Sequence, residues 1–320
     1  MPREQFFASD HGASQSVASV GGRDERHRPV LLQEALRALA PERGGWFFDA
    51  TVGAGGHAEG VLEASAEARL IGVDRDREAL RVASARLARF GDRARLVHAD
   101  FRDIRRVLEA AGVSALAGVI ADLGVSSLQL DAPERGFSFR FDAPLDMRMD
   151  VGSEAQTAAE LLARLSEAEI ARLLREYGEE RRARLIARAI VQRRRGGKPV
   201  QTTRELAELV AALVRGGKGR THPATRVFQA LRIAVNRELD DLDQFIMQAA
   251  DLLQPAGRLV IISFHSLEDR IVKRTFRQLA AAGRVELLTK RPIVPTPEET
   301  RVNPRARSAK LRALRKADQW

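Results

Sequence analysis

The chain has 320 residues, a formal net charge of +10, a pI of about 10.8 and no cysteine. That length exceeds what one core usually fills, so one domain with an insertion, or two domains, are expected. The lack of cysteine excludes disulfides and thiolate metal sites and fits a reducing cytoplasm, while the cationic surplus suits a polyanionic partner.

Residues 1–26 are mostly Ser, Gly, Ala and charged residues around Phe6-Phe7, without the apolar core of a signal peptide, and read as a disordered lead-in. Pro29 to Leu39 suits a helix, Trp46 to Ala50 a first strand, and His57 to Ala64 a helix after a glycine-rich loop. Leu70 to Val73 reads as strand two, Arg77 to Phe90 as a helix, Arg95 to His98 as strand three, Ile104 to Ala111 as a helix and Gly118 to Leu123 as strand four. This alternation predicts βα units around a parallel sheet. From about Asp131 to Arg226 helical periodicity takes over, with capping boxes at Ser166-x-x-Glu169 and Thr202-x-x-Glu205. A helical stretch from Ala224 to Leu253 is predicted to end at Pro255-Ala256-Gly257. Leu259 to Ile262 then gives strand five, Leu267 to Ala280 a helix, Val285 to Leu288 a further strand, and Lys310 to Leu314 a last strand at or near a sheet edge. The longest strand-like run, Leu259 to Ile262, is far below the roughly 20 residues that span a bilayer, so no membrane association is expected.

The chemistry concentrates at strand ends. Asp49-Ala-Thr-Val-Gly53-Ala-Gly55-Gly56 leaves strand one, and Asp74 follows strand two. Glycines let a backbone approach a ligand closely, and a carboxylate after the second strand can take both ribose hydroxyls, so an adenosine-containing cofactor is expected. Gly53-x-Gly55-x-x-Ala58 also meets the relaxed dinucleotide fingerprint, which keeps a nicotinamide-dependent oxidoreductase in play. Asp100-Phe101 after strand three and Asp122 at the end of strand four extend the set. Four strand-end carboxylates, Asp49, Asp74, Asp100 and Asp122, suit a cationic, amine-bearing cofactor such as S-adenosylmethionine better than a pyrophosphate, which they would repel. Two basic segments, Arg181 to Lys198 and Arg301 to Lys316, predict a positive side. No Gly-x-Ser-x-Gly elbow, phosphate loop or His-Glu-x-x-His helix occurs, and His265-x-x-Glu268-Asp269 lacks a recognised ligand spacing, so no metal is expected.

Seven motifs, in order, carry a resemblance to a known family. They are Asp49-Ala-Thr-Val-Gly-Ala-Gly-Gly-His57, Asp122-Leu-Gly-Val-Ser-Ser127, Glu134-Arg-Gly-Phe-Ser-Phe139, Pro144-Leu-Asp-Met-Arg-Met-Asp150, Ala224-Thr-Arg-Val-Phe-Gln-Ala-Leu-Arg-Ile-Ala-Val-Asn236, Ser263-Phe-His-Ser-Leu-Glu-Asp-Arg270 and Asn303-Pro-Arg-Ala-Arg-Ser-Ala-Lys310. From about His27 to Arg315 the chain resembles the bacterial MraW (RsmH) methyltransferases. The resemblance implies a class I S-adenosylmethionine-dependent methyltransferase, a Rossmann-like sheet over 27–130 and 227–320 with an all-helical domain inserted at 131–226. It further implies methylation of the exocyclic N4 of a cytidine in the decoding centre of 16S ribosomal RNA, with the small ribosomal subunit as partner. Gly55, Gly56 and His57 would contact the cofactor, Asp74 its ribose and Phe101 its adenine, with Asp122 and Gln129 completing the pocket. Leu128 stands where that family usually has proline, which puts the placement of Gln129 in question.

Cytosine N4 is a poor nucleophile because its lone pair is delocalised into the ring. A catalytic acceptor aligned on an N4 hydrogen would help it rehybridise, and Asp122 is the expected one. Phe137, Phe139 and Phe141 are candidates for stacking on an extruded base. His265 reads as structural and Ser266 as the cap of the following helix. A non-catalytic RNA-binding assembly factor with the same fold is the other reading, and a homodimer is left open.

Overall fold

The computed structural model describes residues 29–214 and 222–318; the lead-in over 1–26 lies outside them. The chain divides into two compact units, the first running to Gly124 and resuming at Asp241, the second comprising Val125–Asp240.

The first unit contains α1 (Leu32–Leu39), β1 (Gly45–Asp49), α2 (Gly56–Ala64), β2 (Ala68–Asp74), α3 (Arg77–Leu87), β3 (Ala94–His98), α4 (Ile104–Ala111) and β4 (Leu116–Asp122). The second holds α5 (Ser127–Asp131), α6 (Ala158–Arg164), α7 (Glu167–Gly178), α8 (Ala183–Arg195), α9 (Thr203–Leu213) and α10 (Thr225–Asn236). The first then resumes with α11 (Leu242–Leu252), β5 (Leu253–Ser263), α12 (Ser266–Ala281), β6 (Val285–Leu287), α13 (Pro297–Val302) and β7 (Lys310–Lys316).

Among the described residues seven strands form one sheet in the order β3-β2-β1-β4-β5-β7-β6. The pairs from β3 to β5 are parallel, and β7 runs antiparallel between β5 and β6. The parallel strands are near-continuous apolar runs because both sheet faces are covered. Side chains alternate across the sheet. Phe48, Ile71, Val73, Val119, Ala121 and Ile261 enter one layer with Phe245 of α11 and Phe276 of α12. Phe47, Leu70, Ile120, Val260 and Ile262 enter the other with Ala35 of α1, Val61 of α2 and Ala83 of α3. This is a Rossmann-like architecture, and it brings the carboxyl ends of β1, β2 and β4 side by side.

Two predicted features differ. The helix expected over Ala224 to Leu253 is two helices, because Arg237 (φ 51°) and Asp241 (φ 57°) take left-handed conformations between α10 and α11. Strand five starts at Leu253, since Pro255-Ala256-Gly257 forms a bulge: its pairing with β4 jumps from Leu116↔Leu253 to Gly118↔Arg258. A Cβ on Gly257 would meet the carbonyl oxygens of Gln254 and Leu116 at 2.8 and 2.9 Å, so only glycine fits there. The last strand lies near the edge as expected, one strand in, with β6 outside it.

The second unit has its own core, with Leu174, Ile186, Ile190, Leu206, Val210, Val227 and Leu231 fully or almost fully buried. Its capping boxes at Ser166 and Thr202 form as the spacing predicts. Its limits are wider than the expected 131–226, because α10 packs on α7 within this core. The approach is close: a Cβ on Gly178 would meet the Arg226 carbonyl oxygen at 2.5 Å. No described helix is long and apolar enough to cross a membrane.

Candidate active site

The site grows from the carboxyl end of the sheet. After β1 the chain turns through Gly53 (φ 52°) and Gly55 (φ 83°), and Gly55 stands as N-cap of α2 without a side-chain cap. The first-turn amides of α2 therefore have no side-chain acceptor. A Cβ at Gly53 would meet nothing nearer than 3.8 Å, so this glycine is required by conformation and not by crowding. Gly56 is different: a Cβ there would meet Pro29 Cγ at 2.3 Å, so packing against Pro29 fixes this glycine.

Asp74 ends β2 and receives the Gly53 amide at 2.9 Å on Oδ2 and the Asp76 amide at 2.9 Å on Oδ1. Burial pushes its carboxyl up to about 6 despite these two donors. Asp49 is 2% exposed; Oδ1 accepts the Thr51 amide at 3.1 Å, and Oδ2 is enclosed with no donor. Burial raises it to about 7, with a smaller contribution from the charge of Asp74. Thr51 also ties the loop to β4, its hydroxyl accepting the Asp122 amide at 2.7 Å.

Asp122 ends β4. Its Oδ1 is likewise buried without a donor, and burial followed by the charges of Asp49 and Glu268 holds its carboxyl well above the usual range. His57 lies beside it, Nδ1 at 3.8 Å from Oδ2. His57 Nε2 is 3.0 Å from the Val30 carbonyl, which can only accept, so Nε2 carries the proton and Nδ1 presents a lone pair. Burial lowers the imidazole to about 4, which keeps it neutral. His57 thus offers Asp122 neither a charge nor a donor.

Glu268, absent from the predicted site, closes the group. It is 2% exposed at the start of α12, where Oε2 accepts the Phe264 amide at 2.8 Å and the His265 amide at 3.3 Å. His265, not Ser266, is the N-cap of this helix, its Nδ1 accepting the Glu268 amide at 3.4 Å. His265 Nε2 lies 3.1 Å from Glu268 Oε1 but out of line for a hydrogen bond. The S/T-x-x-E spacing signals a cap in this sequence, and here histidine takes the serine's place at the cap.

Asp100 does not join the cluster as a free acceptor. Burial raises its carboxyl, but Arg102, at 2.8 and 2.9 Å, and Arg75, at 3.3 Å, outweigh that and bring it below the ordinary value. Phe101 follows in a 3-10 turn, half-buried, edge-on to Phe245 at 5.0 Å. Gln129 belongs to the second unit, where its Oε1 accepts the Ser126 amide at 3.0 Å in the capping box of α5. The structure therefore gathers Gly55, His57, Asp74 and Asp122 with Asp49 at one end of the sheet. Gly56 also packs against Pro29, and Gln129 completes the capping box of α5 in the second unit.

The aromatic run and the basic segments are also reassigned. Phe137 is buried in the second unit's core and Phe139 packs on Phe228 at 5.0 Å; Phe141 alone is exposed. Asn236 holds the Pro144 to Asp150 turn, accepting the Met149 amide and donating to the Met147 carbonyl, both at 2.7 Å. Arg301 to Lys316 is not one positive face. Arg312 is buried against Asp269, Arg315 pairs with Glu286 and Asp318, and Lys316 caps the carbonyls of Asp251 and Leu253. In α8, Arg193 and Arg194 are likewise engaged, by Glu205 and by the last carbonyls of α6.

A site rich in buried acceptors and poor in cations, facing a glycine turn, is built to receive donors and positive charge. The chain is similar to known proteins over most of its length. The protein named Ribosomal RNA small subunit methyltransferase H from Pelobacter propionicus is 51% identical over 310 residues, covering 91% of this chain and 98% of its own. A protein of the same name from Sorangium cellulosum is 52% identical over 294 residues, 92% of each chain. A solved putative methyltransferase from Streptococcus mutans in complex with SAH superposes with a TM-score of 0.41 at 10% identity, covering 89% of this chain and 97% of its own. The model of the MraW methylase family matches residues 24–317, and the chain belongs to that family.

Proposed function

We propose that this chain is an S-adenosylmethionine-dependent methyltransferase that methylates the exocyclic N4 of a cytidine in the decoding centre of small-subunit ribosomal RNA. The observation that carries this reading is the set of strand-end carboxylates, Asp49, Asp74 and Asp122, held in or near the core without a cationic partner. Two enclosed oxygens, Asp49 Oδ2 and Asp122 Oδ1, await donors. An ammonium and ribose hydroxyls would supply donors to Asp49 and Asp74, and a sulfonium would supply opposite charge, whereas a pyrophosphate would add like charge. The cofactor's carboxylate suits the uncapped amides at the start of α2, beside Gly55. Asp74 takes the ribose, Phe101 borders the adenine and His57 fills the wall between Val30 and Asp122.

When bound, S-adenosylmethionine supplies an electrophilic methyl group and a neutral thioether leaving group. Asp122 Oδ1 accepts an N4 hydrogen of the cytosine, which frees the nitrogen lone pair for the methyl carbon. Methyl transfer would leave a neutral thioether and put positive charge on N4, and Asp122 Oδ1 would take the N4 proton. The raised proton affinity of Asp122, set by burial and by Asp49 and Glu268, suits it to that transfer. Holding the two reactants in line supplies much of the remaining acceleration.

The test is transfer from methyl-labelled S-adenosylmethionine to small ribosomal subunits lacking the modification, read by nucleoside mass spectrometry. Labelled N4-methylcytidine is expected. Label in a different nucleoside would refute the N4 assignment, and subunit binding without transfer would favour a non-catalytic assembly factor.

A further inference from the structure

Exposed arginines in the first unit commonly come with an acid three residues away. Arg37 pairs with Glu34, Arg81 with Glu78, Arg106 with Asp103 and Arg301 with Glu298. Helix α12 departs from this habit. Its inner face buries Val272, Thr275, Phe276 and Leu279, and its outer face exposes Arg270, Lys273, Arg274 and Arg277 at helical spacing, a track about 10 Å long. Its two acids are withdrawn from that face. Glu268 is buried on the amides of Phe264 and His265, and Asp269 is held by Arg312 at 2.7 Å and Lys310 at 3.5 Å. Among the described residues Lys273, Arg274 and Arg277 have no hydrogen-bond or ion-pair partner.

Position adds a second argument. The first turn of α12 carries Glu268, whose charge bears on Asp122, and β5, which leads into α12, pairs with β4 through Asp122↔Ile262. The track thus starts at the carboxylate site and leads away from it. A polyanionic substrate is repelled by that acidic site and needs attraction beside it. Helix α8 is also free of acids, but it belongs to the second unit and does not continue from this site.

We propose that the outer face of α12, through Lys273, Arg274 and Arg277, binds the phosphate backbone of the RNA strand that carries the target base. This rests on the reading of the substrate as RNA. Cationic side chains on such a track meet phosphates without reading sequence, and removing any one of them lowers the salt dependence of binding.

The test compares the wild type with the triple variant Lys273→Gln, Arg274→Gln, Arg277→Gln and with a charge-matched control, Arg37→Gln, Arg81→Gln, Arg106→Gln. Binding of a fluorescent single-stranded RNA is measured by anisotropy across a salt series, and transfer kinetics are measured on small subunits. In the α12 variant the log–log salt slope is expected to fall by about 2, at roughly 0.7 per neutralised phosphate. KM should rise about tenfold with kcat and cofactor affinity unchanged, and the control should keep the wild-type slope. An unchanged slope in the α12 variant, an equal loss in the control, or no RNA binding by the wild type would each overturn the proposal. The expected slope change in the α12 variant, with RNA binding but no methyl transfer by the wild type, would instead sink the methyltransferase reading and leave the track standing.

Discussion

Two sets of aspartates in the first unit show what an arginine does to a buried acid. Asp269 and Asp100 each meet a guanidinium, and although burial raises their carboxyls, Arg312 with Lys310, and Arg102 with Arg75, bring both below the ordinary value. Asp49, Asp74 and Asp122 have no such partner and are raised. Burying a carboxylate without a counter-charge costs stability, so the first set holds the fold, and on the proposed function the second is kept for a ligand. The contrast lies in chemistry, because both sets follow or adjoin strand ends in the same sheet.

The largest effect that tests this contrast is catalytic. Asp122→Asn is expected to lower kcat by about 100- to 10,000-fold, the usual reach of a general base, while S-adenosylmethionine affinity stays within a few-fold. Full turnover at saturating cofactor would remove Asp122 from the chemistry. Next comes the opposite behaviour of one substitution at two places. Asp269→Asn should destabilise the protein by roughly 3 kcal/mol, the lower end for a broken buried pair, because it leaves Arg312 buried and unpaired. Asp49→Asn should raise the melting temperature of the cofactor-free protein at pH 8. Equal losses in the two variants would erase the distinction. Smaller again, Asp74→Asn should weaken S-adenosylmethionine binding about 10- to 100-fold, as expected for losing hydrogen bonds to a charged acceptor. An unchanged dissociation constant would take the ribose away from Asp74.

The pH dependence follows from the same values. Asp49 and Asp74, at about 7 and about 6, keep their protons in the folded state after an unfolded chain has lost them near 3.8. Their favourable contribution is present below 3.8 and lost as pH rises through 6 and 7, so the cofactor-free protein should lose stability across that window from these groups. Asp269 works the other way, its contribution lost as pH falls below the ordinary carboxylate range. Urea titrations of the wild type and Asp49→Asn from pH 5 to 8 separate the two, and parallel curves would show that Asp49 does not titrate in this range.

Much of the first unit was legible because its signals are local. Apolar runs, the glycine turn and the Asp at each strand end lie within a few residues of one another, so strand positions and the cluster of Asp49, Asp74 and Asp122 follow from spacing. Features that depend on distant partners were not legible. The Arg301 to Lys316 segment reads as a basic strip until β7 brings Arg312 to Asp269, 43 residues away in sequence. The bulge at Ala256 depends on pairing with Leu116. Glu268 looks like an ordinary capping glutamate until the neighbouring pair of strands places its charge beside Asp122. Asp100 is the exception, since its partner Arg102 was two residues away and visible.

The central claim is that strand-end carboxylates kept without cations receive a cationic cofactor. Calorimetric titration of S-adenosylmethionine into the protein at pH 6.5, in two buffers of different ionisation enthalpy, tests it most directly. Binding should release protons as Asp49 and Asp74 ionise against the ligand, and the release should shrink at pH 8.5 and in Asp49→Asn. Binding at pH 6.5 with no proton release, or with uptake, would contradict the account.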